Sequence, residues 1–131
     1  TGLNYNLTCC PKIGEYYSIL AYPKAGASLA NPGELFLGSF SVCILKNVER
    51  FSILINFEYS KAEITVNATH LEKPPRLDDI NYVLRVYSQD SHLNIDLLHK
   101  NIEKFGTIFK TVQSSCSVIG EIKKSLMEKW I

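Results

Sequence analysis

The sequence predicts an all-β protein with one C-terminal α-helix, built as an up-and-down antiparallel β-barrel. Apolar and polar residues alternate almost without a break from residue 33 to 66, as they do in half-buried strands. The alternating segments are longer than ordinary strands, and long twisted strands are typical of sheets that close on themselves. The last segment, residues 117–130, changes to a spacing of three and four, which is typical of an amphipathic helix.

Length and charge limit the possible organisation and partners. A chain of 131 residues suits one domain with a sizeable core, which we divide into an arm (1–13), barrel strands (14–113) and a helix (117–130). Fourteen basic and thirteen acidic side chains give a formal charge of +1 without any block of like charge. This balance argues against nucleic acid or a membrane surface as a partner. The apolar runs are also shorter than a membrane helix needs.

Two long strands in the middle of the chain show the alternation most clearly. The first places on one face Phe36, Phe40, Val42 and Ile44. The second places on one face Phe51, Ile53, Ile55, Phe57 and Tyr59. The charged corner over residues 46–50 has the length of a hairpin connection, so we expect these strands to pair with each other.

Five further segments alternate or are rich in β-branched and aromatic residues, which brings the predicted strands to seven. They lie over residues 14–22, 62–72, 80–88, 93–97 and 105–111. Pro23 ends the first of them, and the pair Pro74-Pro75 separates the second from the third, because proline donates no hydrogen bond to a sheet. The small residues over 23–33 predict a long loop.

The predicted helix has one apolar stripe and one charged side. The stripe consists of Val118, Ile119, Ile122, Leu126 and Trp130. Ser117 suits the N-cap, because its hydroxyl can accept a hydrogen bond from a free amide of the first turn. We expect the stripe to pack on the outer wall of the sheet rather than on a membrane.

Four cysteines predict disulfides more strongly than a metal site. No two are spaced as in a structural zinc site, and Cys9 and Cys10 are neighbours that cannot bond without strain. Each is therefore expected to pair with Cys43 or Cys116, and both pairings remain open. Sequons at Asn6 and Asn67, the even cysteine count and the absence of an initiating methionine agree with a processed, secreted glycoprotein.

The order of elements, together with three short motifs, resembles the lipocalin family, and divergent arthropod lipocalins in particular. The stretch 14–17, Gly-Glu-Tyr-Tyr, is similar to the family's Gly-x-Trp-Tyr, with Tyr16 in the tryptophan position. The stretch 82–88 resembles the approach to the family's Thr-Asp-Tyr turn, although Val-Tyr-Ser stands in its place. The stretch 113–116 resembles the segment before the family's helix, with Gln113 in the arginine position.

This resemblance implies a secreted carrier or sequestering protein for a small hydrophobic ligand, such as a fatty acid, held inside the barrel. The side chains that would line the cup are Tyr16, Phe40, Val42, Phe51, Ile53, Ile55, Phe57, Tyr82, Leu84 and Phe109. The plainer alternative is that these side chains fill the interior themselves.

Catalysis finds little support in the sequence, and we expect neither an enzyme nor a bound cofactor or metal. His70, His92 and His99 match no metal spacing and accompany no nucleophile motif. Haem ligation by one histidine is the alternative that a likeness to blood-feeder lipocalins leaves open. Two rival functions are an extracellular β-sandwich that acts through its surface and a storage protein with incidental lipid.

Overall fold

The computed structural model describes residues 2–10, 15–19 and 32–126, with side chains from residue 32 onward. The helices are α1 (Pro32–Leu54), α2 (Ile95–Phe105) and α3 (Thr107–Gln113). The strands are β1 (Gly2–Cys10), β2 (Glu15–Ile19), β3 (Lys61–Glu72), β4 (Pro75–Tyr87) and β5 (Val118–Ser125).

The strands form one open sheet in the order β2-β1-β3-β4-β5. β1 pairs antiparallel with β2 and β3, and β3 pairs antiparallel with β4. β5 is parallel to β4, which requires a crossover connection, and α2 and α3 supply it. Because the described sheet has two edges, β2 and β5, the predicted closed barrel is wrong, and the fold is α/β rather than all-β.

One face of the sheet and the helices enclose the core. In β3 and β4 every second side chain is buried, which gives the inward row Ala62, Ile64, Val66, Ala68, Ile80, Tyr82, Leu84 and Val86. The side chains between them are half-buried or exposed. One dry face and one wetter face are what an antiparallel pair covered on one side requires. Among the described helices, none has the length and apolar character needed to cross a bilayer.

Helix α1 occupies the segment that was expected to form the two long strands. Pro32 stands at the first helical position, where its missing N–H and fixed φ are tolerated, and Glu34 lies in the first turn. The buried residues then recur every three or four positions, as in Leu37, Phe40 and Ile44. This stripe packs against β1, β3, α2 and α3.

The chain leaves α1 through a left-handed residue. Asn56 has φ 57°, and the Phe57 N–H donates to the carbonyl of Ser52 at 2.9 Å. Together they satisfy a terminal carbonyl in the manner of a helix C-cap, for which asparagine is a common choice after glycine. The chain can then reverse into β3.

The crossover is made of two short helices that meet at Gly106. The side chain of Asn94 accepts the Leu97 N–H at 3.1 Å and so caps the start of α2. Two predicted strands are therefore wrong. Residues 93–97 lead into α2 and form its first turn, and residues 105–111 contain the last residue of α2 and most of α3. The apolar side chains of α2 and α3 are buried at helical intervals, as at Leu98, Ile102 and Phe109.

The two ends of the chain also differ from the prediction. The expected arm over residues 1–13 contains β1, which lies between β2 and β3 in the sheet. The expected helix over residues 117–130 contains β5 instead, and its last residues, 127–130, lie outside the described part of the structure. The hydrogen bonds that this segment forms with β4 stabilise a strand more than its helical spacing of apolar residues stabilises a helix. Strands were correctly predicted over 15–19, 62–72 and 80–87.

Candidate functional site

Cys43 and Cys116 are free thiols, and they lie in different surroundings. Cys43 is in the middle of α1, and Cys116 is in the short connection from α3 to β5. Both are half-buried and pack against the hydrophobic core. The predicted crosslinks from Cys9 and Cys10 are therefore not formed at either residue, and the side chains of Cys9 and Cys10 lie outside the described part of the structure.

The sulfur of Cys43 has an amide donor beside it. Asn47 lies one helical turn later, where its side chain donates from Nδ2 to the Cys43 carbonyl at 3.0 Å. The same Nδ2 lies 3.9 Å from the Cys43 Sγ. The carbonyl contact fixes the amide, so a partial positive charge stays close to the sulfur.

Gly106 lies at the joint of α2 and α3 and allows this joint to pack closely against α1 at Asn47. A Cβ at this position would lie 3.3 Å from Nδ2 of Asn47, 2.9 Å from the Ile102 carbonyl oxygen and 2.8 Å from Cβ of Phe109. Any larger residue would push the joint away from α1. The glycine therefore keeps the joint of α2 and α3 close to the part of α1 that carries Asn47 and Cys43.

An open groove of about 820 Å³ runs along α1 past the joint, and Cys43 forms part of its lining. Its apolar side chains are Leu35, Val42, Ile53, Phe105 and Ile108, all of them large and exposed. Its charged side chains are Lys46, Glu49 and Arg50. A thiol, an apolar wall, two cations and one carboxylate thus share one surface.

Cys116 is held by its own loop and by the first residues of β4. Its N–H donates to the Val112 carbonyl at 2.8 Å, which completes the end of α3. Its thiol donates to the Leu77 carbonyl at 3.5 Å, within the limit for a sulfur donor. The next residue, Ser117, donates its N–H to Oδ1 of Asp78, and the Asp79 N–H reaches the same oxygen. These two amides, first that of Ser117, lower the pKa of Asp78.

A second polar cluster lies where α2 crosses β4. The Tyr82 hydroxyl donates to Oε2 of Glu103 at 3.1 Å and lies 3.3 Å from Nε2 of His99. His99 and Glu103 are joined at 2.7 Å. Burial first, and then the Glu103 carboxylate, raise the pKa of Tyr82 far above its ordinary value. In the part of the chain that is described, no three His, Cys, Asp or Glu side chains are grouped to hold a metal.

The residues predicted to line a ligand cup are spread over the core and its surface. Six of them are core residues: Phe40, Phe51, Phe57, Tyr82, Leu84 and Phe109. Val42 and Ile53 are exposed on α1 and line the groove beside Cys43, and Ile55 is half-buried after the helix. Tyr16 belongs to β2, and its side chain lies outside the described residues.

The two sequons lie in neighbouring strands. Asn67 is exposed in β3 where the register with β4 shifts, while Ile64 and Val66 point into the core. A glycan at Asn67 is thus sterically possible and stays a prediction, as does one at Asn6 in β1. Secretion also stays a prediction, but the free thiols remove the disulfide argument for it.

The fold is similar to solved OsmC-like structures. An OsmC-like protein from Mycoplasma pneumoniae is 16% identical with a TM-score of 0.70, covering 92% of this chain and 96% of that one. An organic hydroperoxide resistance protein OsmC from Legionella pneumophila is 11% identical (TM-score 0.57; 83% and 82% covered). An OsmC-like hydroperoxide resistance protein from Jannaschia sp. CCS1 is 14% identical (TM-score 0.57; 86% and 85% covered). No protein-family model and no curated protein sequence matches the chain.

These comparisons replace the lipocalin resemblance. The chain has the fold of OsmC-like structures, so the expectation of a secreted lipid carrier, with a barrel to hold its ligand, is wrong. The expectation that the protein is not an enzyme also loses the support that it drew from the lipocalin resemblance, because the described sheet is open and the fold is that of OsmC-like structures. The motif in β2 and the tyrosines of β4 matched the lipocalin pattern because they belong to strands, which both folds contain.

Proposed function

We propose that the protein is a thiol-dependent peroxidase that reduces organic hydroperoxides, with Cys43 as the reacting thiol. The observation that carries this proposal is the free thiol of Cys43 in an open groove that combines apolar and cationic side chains. The names of the structures that share the fold support the same chemistry.

The groove supplies what the first step needs. The thiolate is the nucleophile, and nearby positive charge favours it over the thiol. The Asn47 amide lies 3.9 Å from the Cys43 sulfur, and the groove also carries the cations of Lys46 and Arg50 together with the Glu49 carboxylate. The apolar wall, including Val42 and Ile108, would hold the organic group of the substrate.

The reaction divides into an oxidation and a reduction. The Cys43 thiolate attacks the terminal, proton-bearing oxygen of the hydroperoxide, an S–O bond forms and the O–O bond breaks. Cys43 becomes a sulfenic acid, and the departing alkoxide takes a proton from water to become an alcohol. A second thiol then attacks the sulfenic sulfur, which gives a disulfide and releases water. An external dithiol reduces this disulfide and is itself oxidised.

Cys116 is the other free thiol in the described part of the chain, and we assign it the second role. A second thiol attacks the sulfenic sulfur and the oxygen leaves as water, and among the described side chains Cys116 is the one that offers such a thiol besides Cys43. Its assignment can fail without affecting that of Cys43, because an external thiol can also reduce a sulfenic acid.

Peroxide consumption by single-cysteine variants tests both roles. Reduced protein is mixed with tert-butyl hydroperoxide and dithiothreitol, and Cys43→Ser is expected to lower consumption to the rate without protein. In a second assay without dithiothreitol, Cys116→Ser should still consume one equivalent of peroxide in a single turnover and accumulate a sulfenic acid on Cys43 that dimedone traps, whereas the parent should form a disulfide instead. Full activity of Cys43→Ser would overturn the proposal, and equal dimedone trapping in the parent and in Cys116→Ser would remove only the second role.

Substrate preference tests the groove. Ile108→Gln makes the apolar wall polar from α3, without adding a charge beside the thiol of Cys43. We expect KM for cumene hydroperoxide to rise about tenfold, a cost of ~1.4 kcal/mol, while the rate with hydrogen peroxide stays within about twofold. Equal losses for both peroxides would show that the wall does not bind the organic group.

A further inference from the structure

The groove beside Cys43 has a direction, because two contacts fix which part of the crossover faces which turn of α1. The joint at Gly106 lies against Asn47, one turn after Cys43. Phe105, just before the joint, packs on Phe51 with ring centroids 5.9 Å apart, one further turn along α1. The groove therefore runs from the thiol toward the C-terminal end of α1, with the end of α2 as its opposite wall.

Arg50 lies toward the far end of this run. It follows Cys43 by two helical turns, so the two side chains leave α1 on nearly the same side. Both line the groove. At a rise of about 1.5 Å per residue, their separation along the helix axis is about 10 Å. The thiol and the arginine thus define two points of one surface at a fixed spacing.

The guanidinium of Arg50 rests on an aromatic ring and keeps its donors for another group. Its central carbon lies 5.5 Å from the centroid of the Phe51 ring, the distance of a cation–π contact. The ion pairs among the described residues do not include Arg50, and its side chain is exposed. A planar fork of N–H donors held in this way matches the two oxygens of a carboxylate.

The remaining lining suits a hydrocarbon chain with an anionic end. Lys46 lies between Cys43 and Arg50 along α1, and Glu49 is the one carboxylate of the lining, so two cations face one anion. The wall contributed by the crossover is apolar, with Phe105 and Ile108 46% and 41% exposed. A ligand with an apolar middle and a negative end therefore fits this groove better than a wholly apolar one.

We propose that the preferred substrates are hydroperoxides that carry a carboxylate, and that Arg50 selects them; this inference rests on the proposed peroxidase function. The peroxide group meets Cys43, the hydrocarbon chain lies along the crossover wall, and the carboxylate pairs with Arg50. A carbon–carbon bond of about 1.5 Å advances an extended chain by about 1.3 Å, so about 10 Å corresponds to about eight bonds. The best substrates should therefore have about eight bonds between the carbon that bears the peroxide and the carboxyl carbon.

Arg50 acts on specificity and makes or breaks no bond. The peroxide oxygen transferred to Cys43 and the alcohol that leaves are those of the reaction already described, so the organic product is a hydroxy acid with its carboxylate intact. Binding of a remote group raises kcat/KM for the substrates that possess it. Because the groove is open to water, the pairing should contribute a factor of up to about five, as exposed ion pairs do.

A matched pair of substrates tests the proposal. 9-Hydroperoxynonanoic acid has the required spacing, and its methyl ester has the same chain without the charge. Consumption of each is measured with the whole chain and dithiothreitol, and the ratio of kcat/KM for acid over ester is the readout. The variants are Arg50→Gln, which removes the cation, and Arg50→Lys, which keeps it. The matched control is Arg85→Gln, which removes an arginine from β4 outside the lining of the groove.

The ratio should be about five for the parent and for Arg85→Gln, intermediate for Arg50→Lys and about one for Arg50→Gln. Because acid and ester react with the same thiol, the ratio cancels any change in the reactivity of Cys43 that the loss of Arg50 causes. High salt should lower the parent ratio toward one, because salt screens an exposed pair.

Two kinds of failure are distinguishable. A parent ratio of about one, or a parent ratio that Arg50→Gln retains, would overturn the selection by Arg50 and leave the peroxidase function intact. Consumption of neither compound above the rate without protein would overturn the peroxidase function and this inference with it. Circular dichroism of each variant confirms that the fold is retained.

Discussion

Helix α1 and the β3–β4 hairpin contain similar runs of alternating residues, but only the hairpin uses the alternation. In β3 and β4 every second residue is buried, as at Leu84 and Val86. In α1 the buried residues follow a spacing of three and four, and Phe51 is buried while Ile53 is 76% exposed. Two residues that would share a face of a strand lie on opposite sides of the helix.

The difference shows that an apolar-rich segment can satisfy two periods at once. The row Phe36, Phe40, Val42 and Ile44 fits a strand, while Leu37, Phe40, Ile44 and Val48 in the same segment fit a helix. The hairpin has no such second pattern, because its outward positions are mostly polar or half-buried. Alternation is therefore decisive only where the intervening residues are polar.

The largest expected effect separates the two sides of α1. Phe51→Ala should lower the free energy of unfolding by ~3–5 kcal/mol, because a buried ring that packs on Phe105 is lost and leaves a void. Ile53→Ala should change it by less than ~0.5 kcal/mol, because the side chain is exposed. Urea unfolding measures both. Similar losses would mean that the two residues share a buried face, as in a strand.

A matched pair tests the hairpin in the same way. Leu84→Ala should cost ~2–5 kcal/mol because Leu84 is fully buried on the inward row. Its neighbour Val83 points to the other, half-buried face, and Val83→Ala should cost about 1 kcal/mol or less. Thermal or urea unfolding distinguishes them. Equal costs would place a second packed layer on the outer face and contradict the two-layer fold.

A smaller effect tests the second helix that alternation predicted as a strand. Asn94→Ala should cost ~1 kcal/mol, because the Leu97 N–H at the start of α2 loses its acceptor. Ser91→Ala, in the preceding turn, is the control. If both variants unfold like the parent, the cap contributes nothing and α2 depends on packing alone.

The smallest effect concerns the join between the two regions. Asp90, after β4, accepts the N–H groups of His92 and of Glu58, which leads from α1 to β3. These amides, first that of His92, lower the pKa of Asp90 below its ordinary value. The native state therefore binds this proton more weakly than the unfolded chain, so the stabilisation is present above the unfolded pKa of about 3.9 and is lost as pH falls through the lowered value.

The measurement is unfolding as a function of pH for Asp90→Asn. The variant should lose less stability than the parent between about pH 5 and pH 2, because it lacks the titrating group. Glu121→Gln removes a carboxylate paired with Lys123 at 3.7 Å on exposed β5 and serves as the control. A parallel acid profile of Asp90→Asn and the parent would contradict the role of Asp90.

The candidate site was only partly accessible from sequence. Cys43 and Cys116 were both selected, but the even cysteine count and the sequons assigned them to disulfides rather than to free thiols. His99 was treated as a surface histidine, although Glu103 four residues later would have made a meeting of the two predictable on a helix. Because residues 93–97 were predicted as a strand followed by a polar corner, the helical spacing of His99 and Glu103 was not considered.

Sequence alone determined the strands with polar intervening residues, β3 and most of β4, because one wet face leaves a single period to satisfy. It also contained the start of α1, in Pro32 followed by Glu34, although apolar alternation concealed it. Only tertiary structure decided that residues 118–125 form a strand. That segment has helical spacing, but the free edge of β4 offers it a full row of hydrogen bonds along the parallel pairing from Ile80 to Tyr87, and local propensity is weaker than such a row.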